Sequence, residues 1–167
     1  MCHCLQSDRG NRQSMGLLDG KIALVTGASR GIGYHASLAF AREGAHVIAL
    51  ARTVGGLEEL DDAISAIGGT TTLVPLDLMD FEALDRLGAS IDERWGRLDV
   101  FLANAGILGG LTPLGHIEPK TFDKIMAINV TANWRLARSL DPLLKASDAG
   151  RAILMSSGAA QSCKAFW

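Results

Sequence analysis

The stretch of the chain richest in chemistry is Thr26-Gly27-Ala28-Ser29-Arg30-Gly31-Ile32-Gly33. Glycines at this spacing, between an apolar run and a helical segment, make a cradle for a phosphate-bearing ligand. Gly27 lets the chain turn sharply. Gly31 removes a side chain where backbone must approach a pyrophosphate, and Gly33 lets the following helix pack closely. Ser29, Arg30 and Ile32 complete the turn. The free N–H groups at the helix start, with the positive end of the helix dipole, then face the anion. The spacing is G-x-x-x-G-x-G rather than the commoner G-x-G-x-x-G, so a plain strand-to-helix turn remains an alternative on this stretch alone.

Alternating elements must position that turn. Residues 21–25 form an apolar run that reads as a buried parallel strand, and 34–43 read as a helix. A second strand over 45–51 ends at Arg52. A helix over 55–67 has Leu57, Leu60, Ala63, Ile64 and Ile67 on one face and is closed by Gly68-Gly69. The third strand, 71–76, ends at Asp77. Asp80 caps a helix through Trp95 whose stripe is Phe81, Leu84, Leu87 and Ile91. A fourth strand, 98–103, ends in Asn104-Ala105-Gly106. After a loop over 107–119, helix runs from about Thr121 to Lys145 with an interruption near Asn129, and 151–156 form a fifth strand leading to Ser157.

Strand and helix alternate in the manner of an α/β doubly wound parallel sheet, Rossmann-like, with right-handed crossovers. Such a sheet binds its ligand at the carboxyl ends of its strands. The polar residues that follow each strand are expected to meet there: the glycine turn, Arg52, Asp77, Asn104 and Ser157. The expected organisation is a disordered extension over 1–15 and an incomplete nucleotide-binding domain over 16–167.

With 167 residues, 48% hydrophobic and 20% charged, the chain is long enough for one domain with a real core and too apolar for disorder. A net charge of −2, with no cluster of Lys and Arg, argues against nucleic acid as the main partner. No apolar run approaches a membrane span, so no membrane is expected. The first residues lack the apolar core of a secretory signal. Three cysteines, at Cys2, Cys4 and Cys163, are too few and too uneven for a disulfide framework and point to a reducing compartment, with cytoplasm as the default. Cys2-His3-Cys4 has no second cluster to complete a zinc site, so no metal is expected.

With these residues in view, the chain resembles the short-chain dehydrogenase/reductase family from Leu17 onward. Thr26 to Gly33 matches the family's T-G-x-x-x-G-x-G cofactor motif. Asn104-Ala105-Gly106 matches its N-A-G after the fourth strand, Ile128-Asn129-Val130 the segment bearing its active-site Asn, and Ser157 its catalytic Ser. The resemblance implies an NADP or NAD cofactor and hydride transfer between nicotinamide and an alcohol, ketone or aldehyde. It places Asp77 and Leu78 near the adenine. At Arg52, where an NAD-preferring member tends to carry an acid, the chain is basic, so Arg30 and Arg52 could clamp a 2′-phosphate and favour NADP. The family's Ser bonds the substrate oxygen, and its Asn holds a water on the path that serves a Lys. Ser157 as a turn cap and Asn129 as a helix break remain the structural alternatives.

The chain departs from the family at its proton donor. In the family a Tyr, followed in Tyr-x-x-x-Lys spacing by a Lys, is the acid/base, and the usual distance from Ser157 carries past Trp167. The only tyrosine is Tyr34, inside the cofactor motif. Five strands are expected, with the carboxyl-terminal strands and helices absent and strand five left as an edge. A homo-oligomer is expected for a longer form and is in doubt for this chain. The chain alone is expected to be inactive, and a dinucleotide-binding sensor or regulatory protein is the alternative reading.

Overall fold

The computed structural model describes residues 16–162. A strand covered by helices on both faces must be apolar throughout, and Ile-Ala-Leu-Val-Thr satisfies this as β1 (Ile22–Thr26), buried at every position. Four further strands join it: β2 (His46–Ala51), β3 (Thr70–Pro75), β4 (Val100–Ala103) and β5 (Arg151–Leu154). All pairings are parallel, in the order β3-β2-β1-β4-β5. The sheet grows outward from β1 to β3 and then returns to the other side of β1 at β4. That reversal opens a crevice at the carboxyl end of β1, between the turns that leave β1 and β4.

The helices are α1 (Gly31–Arg42), α2 (Val54–Ala66), α3 (Phe81–Trp95), α4 (Pro119–Met126) and α5 (Ala132–Ala146). Successive strand residues point to opposite faces, and two core layers result. Val25, Val47 and Ala49 pack with Leu57, Leu60 and Ile64 of α2 on one side. Leu24, Ile48 and Phe101 pack with Leu84, Ile91, Leu136 and Leu140 of α3 and α5 on the other. The expected doubly wound α/β fold is the fold observed.

Boundaries shift for local reasons. Helix α1 begins at Gly31 rather than Tyr34, because its glycines form the first turn. Ile67, expected on the apolar face of α2, follows the last turn and is exposed. Leu98 precedes β4, its N–H donating to the Leu143 carbonyl at 3.1 Å instead of to the sheet. The interruption expected near Asn129 is a single π-helical turn, Ala127–Thr131, between α4 and α5. Trp134 is 56% exposed, with the Arg138 guanidinium 5.0 Å from its ring centre. It continues an outer row formed by Phe122, Met126 and Val130 at four-residue spacing.

The amino ends of the strands are fastened by Asp99, 2% exposed. Its carboxylate accepts from the Ile22 N–H at 2.8 Å and the Ser147 hydroxyl at 2.6 Å, with Arg97 at 3.3 Å and Lys21 at 3.4 Å. Burial pushes this carboxyl up, but the Ser147 and Ile22 hydrogen bonds and the two cations outweigh it and hold it below the ordinary carboxylate range. His46, at the start of β2, bridges the hydroxyls of Thr70 and Thr72 at 2.7 and 2.9 Å. Among the described residues, no helix is long and apolar enough to cross a membrane.

Candidate functional site

The turn after β1 is built by mutual hydrogen bonding with the exit of β4. Thr26 is fully enclosed, and its hydroxyl accepts the N–H groups of Asn104 and Ala105, each at 3.0 Å. The Asn104 side-chain amide returns the bond, donating to the Thr26 carbonyl at 3.0 Å and the Gly27 carbonyl at 3.4 Å. The N–H groups of Gly27 and Ala28 donate to Leu50, at 2.8 and 3.2 Å, which ties the turn to β2 as well.

The glycines divide the work. Gly27 has φ +67°, in the left-handed region that favours glycine. At Gly33 a Cβ would run into the Gly27 carbonyl and the Asn104 amide, so close packing of α1 requires its absence. Gly31 is different: at φ +59° it has no atom within 4 Å of a would-be Cβ, and it faces the cleft. No side chain caps α1, whose N-cap is Arg30, and its first turn carries no acid. Unshielded backbone donors at an exposed helix start, with the dipole behind them, suit an anion.

The carboxyl ends of β1 to β4 open onto a cleft of about 510 Å³. Of the residues expected to hold a cofactor, Gly27, Ser29, Arg30, Gly31, Arg52, Asp77, Leu78, Asn104, Ala105 and Gly106 all line it. Gly33 lies behind the turn, and Ile32 points its side chain to solvent at 63% exposure, so each could serve only through backbone. Leu78 borders the cleft while its side chain belongs to the core. Asp77 Oδ2 lies 3.9 Å from Arg52 Nη1, and Asp77 Oδ1 accepts the Met79 N–H at 3.0 Å.

Sequence reasoning named no role for Thr53, Leu76, Ile107 or Ile128, which also line the cleft. Each is the chain neighbour of a residue that was named, Arg52, Asp77, Gly106 and Asn129, which is the signal the sequence carried. Asn129 ties Ile107 to the π turn that carries Ile128. The Asn129 Oδ1 accepts the Ile107 N–H at 2.9 Å and its Nδ2 donates to the Ile107 carbonyl at 2.8 Å. The side chain thus pins the loop that leaves β4, and its remaining lone pair and N–H keep it able to hold a water.

Ser157 stands apart. Its hydroxyl accepts the Ala159 N–H at 3.2 Å and caps a short 3-10 turn, Gly158–Ala160, and it is not among the cleft-lining residues. The expectation that five strand ends share one crevice therefore holds for four. Tyr34 lies on α1 with its ring edge-on to His35 at 5.5 Å, away from the cleft. No group of three or more His, Cys, Asp or Glu among the described residues could hold a metal ion. Cys2, His3, Cys4, Cys163 and the rest of 1–15 and 163–167 lie outside the described residues.

Comparison with known proteins places this geometry. The family profile for short chain dehydrogenases matches residues 21–167. An uncharacterized oxidoreductase of Escherichia coli K12, YciK, is 39% identical over 157 residues, which cover 90% of this chain and 61% of that protein. An uncharacterized NAD-dependent oxidoreductase of Mycobacterium tuberculosis is 33% identical over 158 residues, covering 86% of this chain and 57% of the relative. A crystal structure of a short chain dehydrogenase from Shigella flexneri 2a, complexed with NADP, superposes with a TM-score of 0.86 at 38% identity, over 92% of this chain and 65% of that one. The chain thus spans about three-fifths of the length of these relatives.

Proposed function

The chain belongs to the short chain dehydrogenase family, and from that premise we propose that it is the nucleotide-binding portion of an NAD(P)-dependent oxidoreductase acting on an alcohol, ketone or aldehyde. The observation that carries the reading is the uncapped start of α1, opening with Gly31 into the cleft beside Arg30 and Arg52. The NADP complex of the Shigella relative supports it.

The chain's own residues would act as follows. The backbone donors of the turn and of α1 take the pyrophosphate. Arg30 and Arg52 take a 2′-phosphate by charge-assisted bonds, which favours NADP over NAD. Asp77 and Leu78 border the adenine, and Asn104, Ala105 and Gly106 form the floor. Bound there, a nicotinamide dinucleotide supplies or accepts the hydride. Asn129 positions the floor through Ile107 and can hold a water. Ser157, whose hydroxyl oxygen accepts the Ala159 N–H, would donate its own O–H to a substrate oxygen.

For the 167-residue chain taken alone, binding without turnover is the expected behaviour. The observation that favours this is the place of its single tyrosine: Tyr34 cannot donate a proton into the cleft from α1. A homo-oligomer of a longer form would use the outer row Phe122, Met126, Val130 and Trp134. The test is titration of the purified chain with NADPH by fluorescence, followed by a search for NADPH consumption with a panel of carbonyl compounds. Saturable binding without consumption supports the reading. Absence of binding at millimolar nucleotide would defeat it.

A further inference from the structure

Arg52 and Asp77 follow adjacent strands that stay in register to their last pair, Ala51 with Pro75. The Leu76 N–H then donates to the Ala51 carbonyl at 3.0 Å, so the residues beyond the two strand ends are held side by side. The Asp77 carboxylate is also oriented. One oxygen accepts the Met79 N–H, the common turn of an aspartate onto backbone two residues on, and the other faces Arg52 at 3.9 Å. Both side chains line the cleft, and Asp77 is the only carboxylate among its lining residues.

An arginine placed to receive a phosphate therefore already has a counter-ion. A ligand without a 2′-phosphate leaves that pair undisturbed. A phosphorylated ligand must draw the guanidinium from Asp77 and bring its own negative charge close to the carboxylate. We infer that Asp77 is a specificity-determining residue: its carboxylate competes with a ligand's 2′-phosphate for Arg52 and sets how strongly the cleft favours the phosphorylated dinucleotide. The inference rests on the dinucleotide reading above. Because Arg52 and Asp77 are 58% and 47% exposed, the coupling is modest, roughly two- to fivefold in affinity, and weakens with salt.

The test is calorimetric titration of the chain, Asp77→Asn, Arg52→Gln and the double variant with NADP⁺ and NAD⁺, which differ only in the 2′-phosphate, at low ionic strength. Asparagine keeps an oxygen for the Met79 N–H, so the turn survives. Asp77→Asn is expected to tighten NADP⁺ roughly two- to fivefold, to change NAD⁺ by much less, and to lose its effect on NADP⁺ when Arg52 is glutamine. An equal change for both nucleotides would show that Asp77 acts through the adenine or through general charge, and would overturn the inference. The same gain without Arg52, or no change in either affinity, would overturn it too while leaving the dinucleotide reading intact. Failure of the unmodified chain to bind either nucleotide would defeat both.

Discussion

Thr26 and Asn104 hold each other from both sides: the Thr26 hydroxyl accepts the Asn104 backbone N–H at 3.0 Å, and the Asn104 side-chain amide donates to the Thr26 carbonyl at 3.0 Å. The ends of β1 and β4 are thereby fixed beyond the last rung of the sheet, where the cleft begins. Thr26→Val has nearly the same shape but strands two partly buried N–H groups, those of Asn104 and Ala105. The expected cost is about 2–4 kcal/mol in urea unfolding. Thr26→Ser keeps the hydroxyl and should recover most of it. A valine variant as stable as the parent would show that the hydroxyl is dispensable.

Gly31 and Gly33 should separate binding from folding. Gly31→Ala meets open space at a positive φ, so it costs about 1 kcal/mol of stability. Its methyl group projects into the cradle, and NADPH affinity should fall at least tenfold by fluorescence titration. Gly33→Ala would collide with backbone and with Asn104, so the chain should lose several degrees of melting temperature or fail to fold. Equal thermal stability of the two variants would contradict this division.

Removal of the Asn129 side chain should be felt at Ile107. Asn129→Ala breaks both bonds to that residue, at an expected cost of about 1–3 kcal/mol. Hydrogen exchange at the Ile107 amide should accelerate by more than the global loss of stability accounts for. Unchanged protection there would mean that the loop after β4 is fastened by other contacts.

The response to acid should have two stages. Burial, then the Arg94 cation, hold the His46 imidazole below its ordinary value of 6.5. The unfolded chain takes that proton first, so stability should decline as pH falls through 6.5 and stop declining below the folded value. The Asp99 carboxyl is held below 3.8, so its contribution is intact above that pH and is lost as pH falls through the lower folded value. Urea unfolding from pH 7.5 to about pH 2 would read both. His46→Gln should flatten the first stage. Asp99→Ala should cost roughly 3–5 kcal/mol at pH 7 and flatten the second.

The strands were legible because buried parallel strands are unbroken apolar runs, and the glycine turn because backbone constraint leaves a mark on residue type. Arg52, Asp77 and Asn104 could be placed by topology alone, since each directly follows a strand. What the sequence hid depends on partners far along the chain. Asp99 reads as an ordinary acid until Ile22 and Ser147 are brought to it. The Thr26 hydroxyl has no meaning without the exit of β4. Ser157 follows β5, the edge strand beyond β4, and does not line the cleft.

The π turn over Ala127–Thr131 has a consequence for how this region can vary. An α-helix turns about 100° per residue. Deleting one residue of that turn could let α4 and α5 run as one straight rod, but it would rotate every side chain on one half relative to the other. Asn129 would swing away from Ile107, or Leu136 and Leu140 would swing out of the core. The segment should therefore accept substitution at its exposed Val130 and no change of length, like a key whose teeth can be recut but whose blade cannot be shortened.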